Sequence, residues 1–338
     1  MQNSHQVSVA AEVANPRQLR PHLVILGAGA SRAAFPTGDA NGRALPVMQD
    51  FVETLSLERL LDDARILWRG VNFETIYSNL IGAKNHTSIR SALEKAVEDY
   101  FLDLDLPAYP TIYDEVLLSL RKKDVIATFN WDLFLIQAAR RVGRVTKSLP
   151  YLLFLHGNVA HGFCAKDAVS GVRGAICSRC HRPFVPDRLL FPVETKDYSN
   201  DPAIAASWAA LRRTLQDALF VTIFGYGAPQ SDRDAVAFMA DAWGAPKDRQ
   251  FEQFEIVDIR PEKDLRNTWS PFIHTHHYEC HAGWRDCFLA NHPRRSVEAF
   301  VNQFIEAKFI ENNPAPRART LDDLFAWYGP LISAEAGA

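Results

Sequence analysis

Five short apolar runs limit the architecture of this chain more than any other feature, because each stops abruptly at residues of a different chemistry. They are Leu23–Leu26, Val125–Thr128, Leu152–Leu155, Phe220–Phe224 and Phe254–Val257. Runs this short, without polar alternation, fit strands buried on both faces, which is the condition of a parallel sheet. Helical periodicity fills the gaps. Leu93, Ala96, Val97, Tyr100 and Phe101 share one helical face, and so do Trp208, Leu211 and Leu215. Val297, Phe300, Val301, Phe304 and Ile305 repeat the pattern behind Ser296 as N-cap. Strand and helix in alternation predict an α/β, doubly wound, Rossmann-like parallel sheet.

Three stretches depart from the alternation and set the expected organisation. Residues 1–20 hold Pro16, several glutamines and no apolar run, which predicts a disordered arm and no secretory signal. Residues 21–310 form the main domain, with a helical insertion over 40–120 and a Gly-, Cys-, His- and Pro-rich module over 156–190. Residues 311–338 read as a linker and a C-terminal helix carrying Leu321, Leu324, Phe325 and Trp327. That helix is expected to pack on its own domain rather than to form an oligomer contact. No run approaches eighteen apolar residues, so no membrane span and a cytoplasmic location are expected. The net charge of −3 argues against direct nucleic-acid binding, which needs a clustered basic surface. Arg121-Lys122-Lys123, Arg140-Arg141 and Arg294-Arg295 are read as solvated helix faces.

The chemistry lies just beyond each run. The first leads into Gly27-Ala28-Gly29-Ala30-Ser31, the second into Phe129-Asn130-Trp131-Asp132 and the third into His156-Gly157-Asn158. The fourth leads into Gly225-Tyr226-Gly227 and the fifth into Asp258-Ile259-Arg260. Open parallel sheets bind ligands beyond the carboxyl ends of their strands. Gly27-Ala28-Gly29 would let backbone approach a pyrophosphate at a helix N-terminus, although an ordinary strand-to-helix turn would look the same. The common dinucleotide fingerprint places a third glycine where this chain has Arg32. Asp132 could equally cap the helix over Leu133–Arg141, and His156 could be a buried structural histidine.

The five cysteines cluster unevenly, which in a non-secreted chain favours metal binding or burial over disulfides. His161-x2-Cys164 and, twelve residues on, Cys177-x2-Cys180 have the spacing of a compact zinc ribbon. His181 is the alternative fourth ligand, and reduced thiols without metal are the plain alternative. Cys280, His281 and Cys287 are expected in a helix or the core, while His274, His276 and His277 keep a second metal reading open.

Taken in order, Gly27-Ala28-Gly29-Ala30-Ser31, Thr128-Phe129-Asn130-Trp131-Asp132, His156-Gly157, Cys177-Ser178-Arg179-Cys180 and Gly225-Tyr226-Gly227 resemble the motif series of sirtuins. The resemblance spans roughly residues 20–265, and the wording Leu-His-Gly-Asn and Phe-Gly-Tyr is most similar to a bacterial sirtuin-like branch of NAD-consuming phage-defence effectors. It departs from the four-cysteine sirtuin pattern at His161. By this resemblance Gly27, Ala28, Gly29 and Ser31 would hold the NAD pyrophosphate, and Asn130 and Asp132 would line the nicotinamide-ribose pocket. His156 would be the general base, Asn130 its catalytic partner, and Gly225 and Asp258 would lie near the adenosine ribose.

The resemblance implies NAD as substrate and Zn2+ as a structural ion. It leaves hydrolysis, deacylation or ADP-ribosyl transfer, and NAD or ADP-ribose sensing without catalysis open. Deacylases usually carry a Phe-Gly-Glu-type segment after the zinc module, which Leu189-Leu190-Phe191-Pro192-Val193-Glu194 lacks, so NAD hydrolysis ranks first. Such an activity would need restraint, through a homo-oligomer or a separate regulatory protein.

Overall fold

The computed structural model describes residues 5–16, 18–82, 87–193, 198, 200–273 and 277–336. Six parallel strands form its central sheet: β1 (His22–Leu26), β2 (Val125–Thr128), β3 (Tyr151–Phe154), β7 (Phe220–Phe224), β8 (Gln253–Val257) and β9 (Tyr278–His281). Their order is β3-β2-β1-β7-β8-β9. This is the doubly wound arrangement in which the chain turns back across the middle of the sheet, between β1 and β7. Register brings the strand ends level, since Leu26 lies beside both Thr128 and Phe224, Thr128 beside Phe154, and Phe224 beside Val257. The turns after these strands are therefore delivered to one edge.

Both faces are covered. On one, Val24, Leu26, Ile126 and Phe154 pack with α7 (Ile112–Ser119), α8 (Phe134–Val142) and the helices before them. On the other, Leu23, Ile25, Val221, Ile223 and Ile256 pack with α9 (Pro202–Asp217), α10 (Arg233–Trp243) and α11 (Glu262–Trp269). Between β1 and β2 run α2 (Ala28–Ala34), α3 (Phe51–Thr54), α4 (Glu58–Asp63), α5 (Phe73–Gly82), α6 (Thr87–Leu102) and α7. Leu93, Val97 and Phe101 recur one turn apart on α6 and are its buried residues. A reciprocal cap starts α7: the Thr111 hydroxyl accepts from Asp114 N–H, and the Asp114 carboxylate accepts from Thr111 N–H. Asp201 caps α9 with Pro202 in its first turn. A second, antiparallel sheet of order β5-β4-β6 holds β4 (His161–Cys164), β5 (Val169–Val172) and β6 (Val185–Pro186).

The structure corrects several expectations. A sixth strand, β9, joins the five that the apolar runs predict. The segment expected as a disordered arm carries a helix, α1 (Val9–Ala14), capped by Ser8. Arg121, Arg294 and Arg295 are 3%, 1% and 1% exposed, so these positions are buried ionic sites rather than solvated faces. Ser296 does not cap a helix; its hydroxyl meets His22 Nδ1 at 2.8 Å, and it opens α13 (Ser296–Phe300), which follows α12 (Phe288–Asn291). The terminal helix α14 (Leu321–Ala336) docks on its own domain through Leu324 and Tyr328, both buried. No described helix is long and apolar enough to cross a membrane.

Candidate active site at the carboxyl edge of the sheet

The site forms where the chain reverses its winding, because the turns after β1 and β7 touch there. Gly225 has φ of 61°, and a Cβ on it would lie 2.1 Å from Ala30 N, so no other residue fits without moving backbone. The contact carries hydrogen bonds. Gly27 N–H donates to the Phe224 carbonyl at 3.0 Å, and Gly29 N–H to the Gly225 carbonyl at 2.9 Å. The Gly29 amide therefore already donates inside the protein. Gly29 supplies close approach.

Ser31, one turn into α2, is 3% exposed and connects three side chains. Its hydroxyl donates to Asp132 Oδ2 at 2.6 Å, accepts from Asn130 Nδ2 at 2.9 Å and lies 2.7 Å from the Tyr113 hydroxyl. Asn130 Nδ2 also donates to the Gly27 carbonyl at 2.9 Å, fastening the β2 loop to the β1 turn. Asp132 accepts Phe134 N–H at 3.2 Å as well, so it serves the start of α8 and the network together. Burial pushes its carboxyl up to about 6. At neutral pH it is therefore a mostly ionised carboxylate held out of water.

His156 reaches the same loop from the other side. The Phe129 ring stands edge-on to it at 4.8 Å and stacks on Tyr226 at 3.9 Å, while the next residue, Asn130, turns to Ser31. Asn158 ties the loops together, donating to the Asn130 carbonyl at 3.4 Å, and Val159 N–H donates to the Trp131 carbonyl at 3.0 Å. His156 is 6% exposed, with Asp232 Oδ1 at 3.7 Å from its Nε2. Asp258 ends β8 on the same edge, but its carboxylate is taken by Arg260, whose Nη2 donates at 2.9 Å.

The small sheet holds a separate cluster. Cys164, Asp167, Cys177 and Cys180 bring one ligand atom each within 4.8 Å of one another. Cys164 Sγ lies 3.4 Å from Cys180 Sγ, too far for a disulfide, and Asp167 Oδ2 lies 3.3 Å from Cys177 Sγ. Three soft thiols and a carboxylate converging in this way suit one tetrahedral cation. The fourth position goes to Asp167, which corrects the ligand set expected from the spacing. His161 Nδ1 faces the Asp187 carboxylate at 2.8 Å instead, and His181 is exposed in a left-handed turn with φ of 59°. His274 and His276 lie outside the described residues. A cavity of about 360 Å³, lined by Glu262, Tyr278, Glu279, Cys280 and His281, opens at the edge strand β9 and shares no residue with the strand-end cluster.

Tyr113, Asp167 and Asp232 join these sites without any signal in the sequence. Tyr113 comes from the helical insertion and carries no motif, and an acid three residues past Cys164 looks like any surface aspartate. Asp232 has only the look of a helix cap.

No family model matches the chain, and no curated protein matches it. Similar solved structures include a Sir2 homologue–NAD complex, 13% identical, covering 86% of this chain and 94% of that one with TM-score 0.36. Another is a Sir2 enzyme bound to a myristoylated histone peptide, 12% identical, covering 88% and 97% with TM-score 0.35. A third, described as a basis for the mechanism and regulation of Sir2 enzymes, is 12% identical and covers 75% and 84% with TM-score 0.36. These similarities are low in score, and the roles of the residues rest on the site's own chemistry.

Proposed function

We propose that this chain is a sirtuin-like enzyme that binds NAD along the carboxyl edge of its sheet and hydrolyses it to nicotinamide and ADP-ribose. The observation that carries this reading is the meeting of Ser31, Asn130, Asp132 and His156 around the β1–β7 crossover, beside a turn where only glycine fits. The first turn of α2 receives the pyrophosphate at Ala28, with Gly27 and Gly29 giving room for its approach. Asn130 and Asp132 face the nicotinamide ribose, Gly225 and Asp258 the adenosine ribose. Cleavage passes through an oxocarbenium-like state, and the buried Asp132 carboxylate favours that developing positive charge. His156 takes the proton of the attacking water, the water oxygen bonds to the ribose carbon, and nicotinamide leaves with the electrons of the broken C–N bond.

Water is favoured over an acyl-lysine peptide by the packing of Leu189–Val193, the segment that would have to pair with a peptide. Phe191 stacks on Tyr77 of α5 at 4.8 Å and leans on Trp131 at 4.9 Å, so the helical insertion already covers it. Cys164, Asp167, Cys177 and Cys180 would hold a structural zinc, cross-linking a module too small to build a core. Free activity would drain a cell of NAD. This fits an effector, as in phage defence, restrained by assembly or by a separate protein.

Purified full-length chain should release nicotinamide from NAD, and His156→Ala should slow that release by roughly two to four orders of magnitude. Wild-type turnover in that variant removes His156 from the chemistry. Release that depends on added acetyl-lysine peptide identifies a deacylase, and NAD binding without release identifies a sensor.

A further inference from the structure

We infer that Asp232 is the positioning residue of His156, its carboxylate set to balance the charge the ring gains on taking a proton. The inference rests on the NAD-cleavage reading for its chemistry, but its geometry stands separately. Asp232 occupies the N-cap of α10, where aspartate normally accepts a backbone N–H from the first turn. It makes no such side-chain bond. Its backbone is held by a turn, N–H to the Pro229 carbonyl at 2.9 Å, and the side chain, on a residue 4% exposed, is aimed elsewhere. Oδ2 accepts the Tyr226 hydroxyl at 2.9 Å, and Oδ1 stands 3.7 Å from His156 Nε2.

Three rings hold this geometry. Tyr226 is buried and stacks on Phe129 with 6° between planes; Phe129 presses on His156; Tyr198 lies nearly parallel to the imidazole at 6.2 Å. At 3.7 Å the Asp232 carboxylate is beyond hydrogen-bond reach of Nε2 and acts on the ring through its charge. When the ring takes the proton of the attacking water it becomes an imidazolium, and the 3.7 Å separation becomes an ion pair of opposite full charges. A carboxylate serving only as partner to the Tyr226 hydroxyl would have no effect on that step.

The test uses full-length protein and NAD. Asp232→Asn keeps size and the Tyr226 bond but removes the charge. It should lower kcat about 10- to 100-fold with KM for NAD within about threefold. Added to His156→Ala, it should cost less than about threefold more, because the ring it acts through is gone. Equal losses in both backgrounds, a rise in KM alone, or an unchanged kcat each overturn the inference. The ¹⁵N resonance of His156 Nε2, read without substrate, separates this from the functional reading. An unchanged resonance in Asp232→Asn refutes the pairing even if the wild type cleaves NAD. A changed resonance in a protein that releases no nicotinamide refutes NAD cleavage and leaves the pairing standing. Asp232→Ser is read the same way should the asparagine variant fail to fold.

Discussion

The carboxyl of Asp132 has Ser31 and the Phe134 amide as partners, yet burial outweighs them and pushes it up to about 6, against 3.8 for the free side chain. The native state thus holds this proton more tightly than the unfolded chain does. Its contribution to stability is full below pH 3.8 and is lost as pH rises through about 6. At neutral pH the ionised group costs on the order of 3 kcal/mol, by the equivalence of one pKa unit to about 1.4 kcal/mol. Asp132→Asn should therefore be more stable than the wild type at pH 7, by about 1–3 kcal/mol, and lose that advantage towards pH 4. Denaturant unfolding across this range checks the claim, and a difference that does not change with pH defeats it. On the proposed function, cleavage of NAD should fall in the same variant, because it removes the charge assigned to the developing cation. Ser31, Asn130, Asp132 and His156 are legible in the sequence because each comes within a few residues of a strand run. Tyr113 is not, because its hydroxyl reaches Ser31 from 82 positions away, and nothing local marks it.

At the level of elements, the inner strands and the edge strand β3 are readable from sequence and the other edge strand, β9, is not. β1, β2, β7 and β8 are buried throughout and so read as mainly apolar runs, with His22, Thr128, Thr222, Gln253 and Glu255 as their polar members. β9 reads Tyr-Glu-Cys-His, because an edge strand faces solvent and because its His281 bonds across the sheet to the buried Glu255 at 2.9 Å. The zinc module is legible in its three thiols, whereas the fourth ligand follows the backbone of the Cys164 turn to Asp167. This element is coupled to the site. It begins at His156-Gly157, and Leu190 N–H returns to the His156 carbonyl at 2.9 Å. Elemental analysis should find about one zinc per chain, as a four-donor structural site requires. A strong chelator or Cys177→Ser should loosen residues 156–190, lower the Tm and slow nicotinamide release together. Folded, fully active protein free of zinc would refute this coupling.

Over the whole molecule, two adjacent buried arginines hold the chain ends together at the amino end of the sheet, away from the site. Arg295 pairs with Glu12 of α1, and both side chains are fully buried; Arg294 pairs with Glu335 of α14 and donates to the Leu118 carbonyl at 3.1 Å. Neither clamp is legible in the sequence, since Glu12 lies 283 positions from its partner and a short basic pair by itself reads as solvated. Burial opposes both charges, raising the Glu12 carboxyl and lowering the Arg295 guanidinium, so each charge depends on the other for its place in the fold. Removing one partner should then be worse than removing both. Glu12→Ala should destabilise the chain by about 3–5 kcal/mol, and Glu12→Leu with Arg295→Met by much less. The kcat and KM of the protein that remains folded should not change, because no residue of the clamp reaches the carboxyl edge. Chemical denaturation and NAD kinetics on the same samples decide the matter. If Glu12→Ala altered kcat at full folding, the ends of this sheet would be coupled, and the chain termini would be part of how the active site is held.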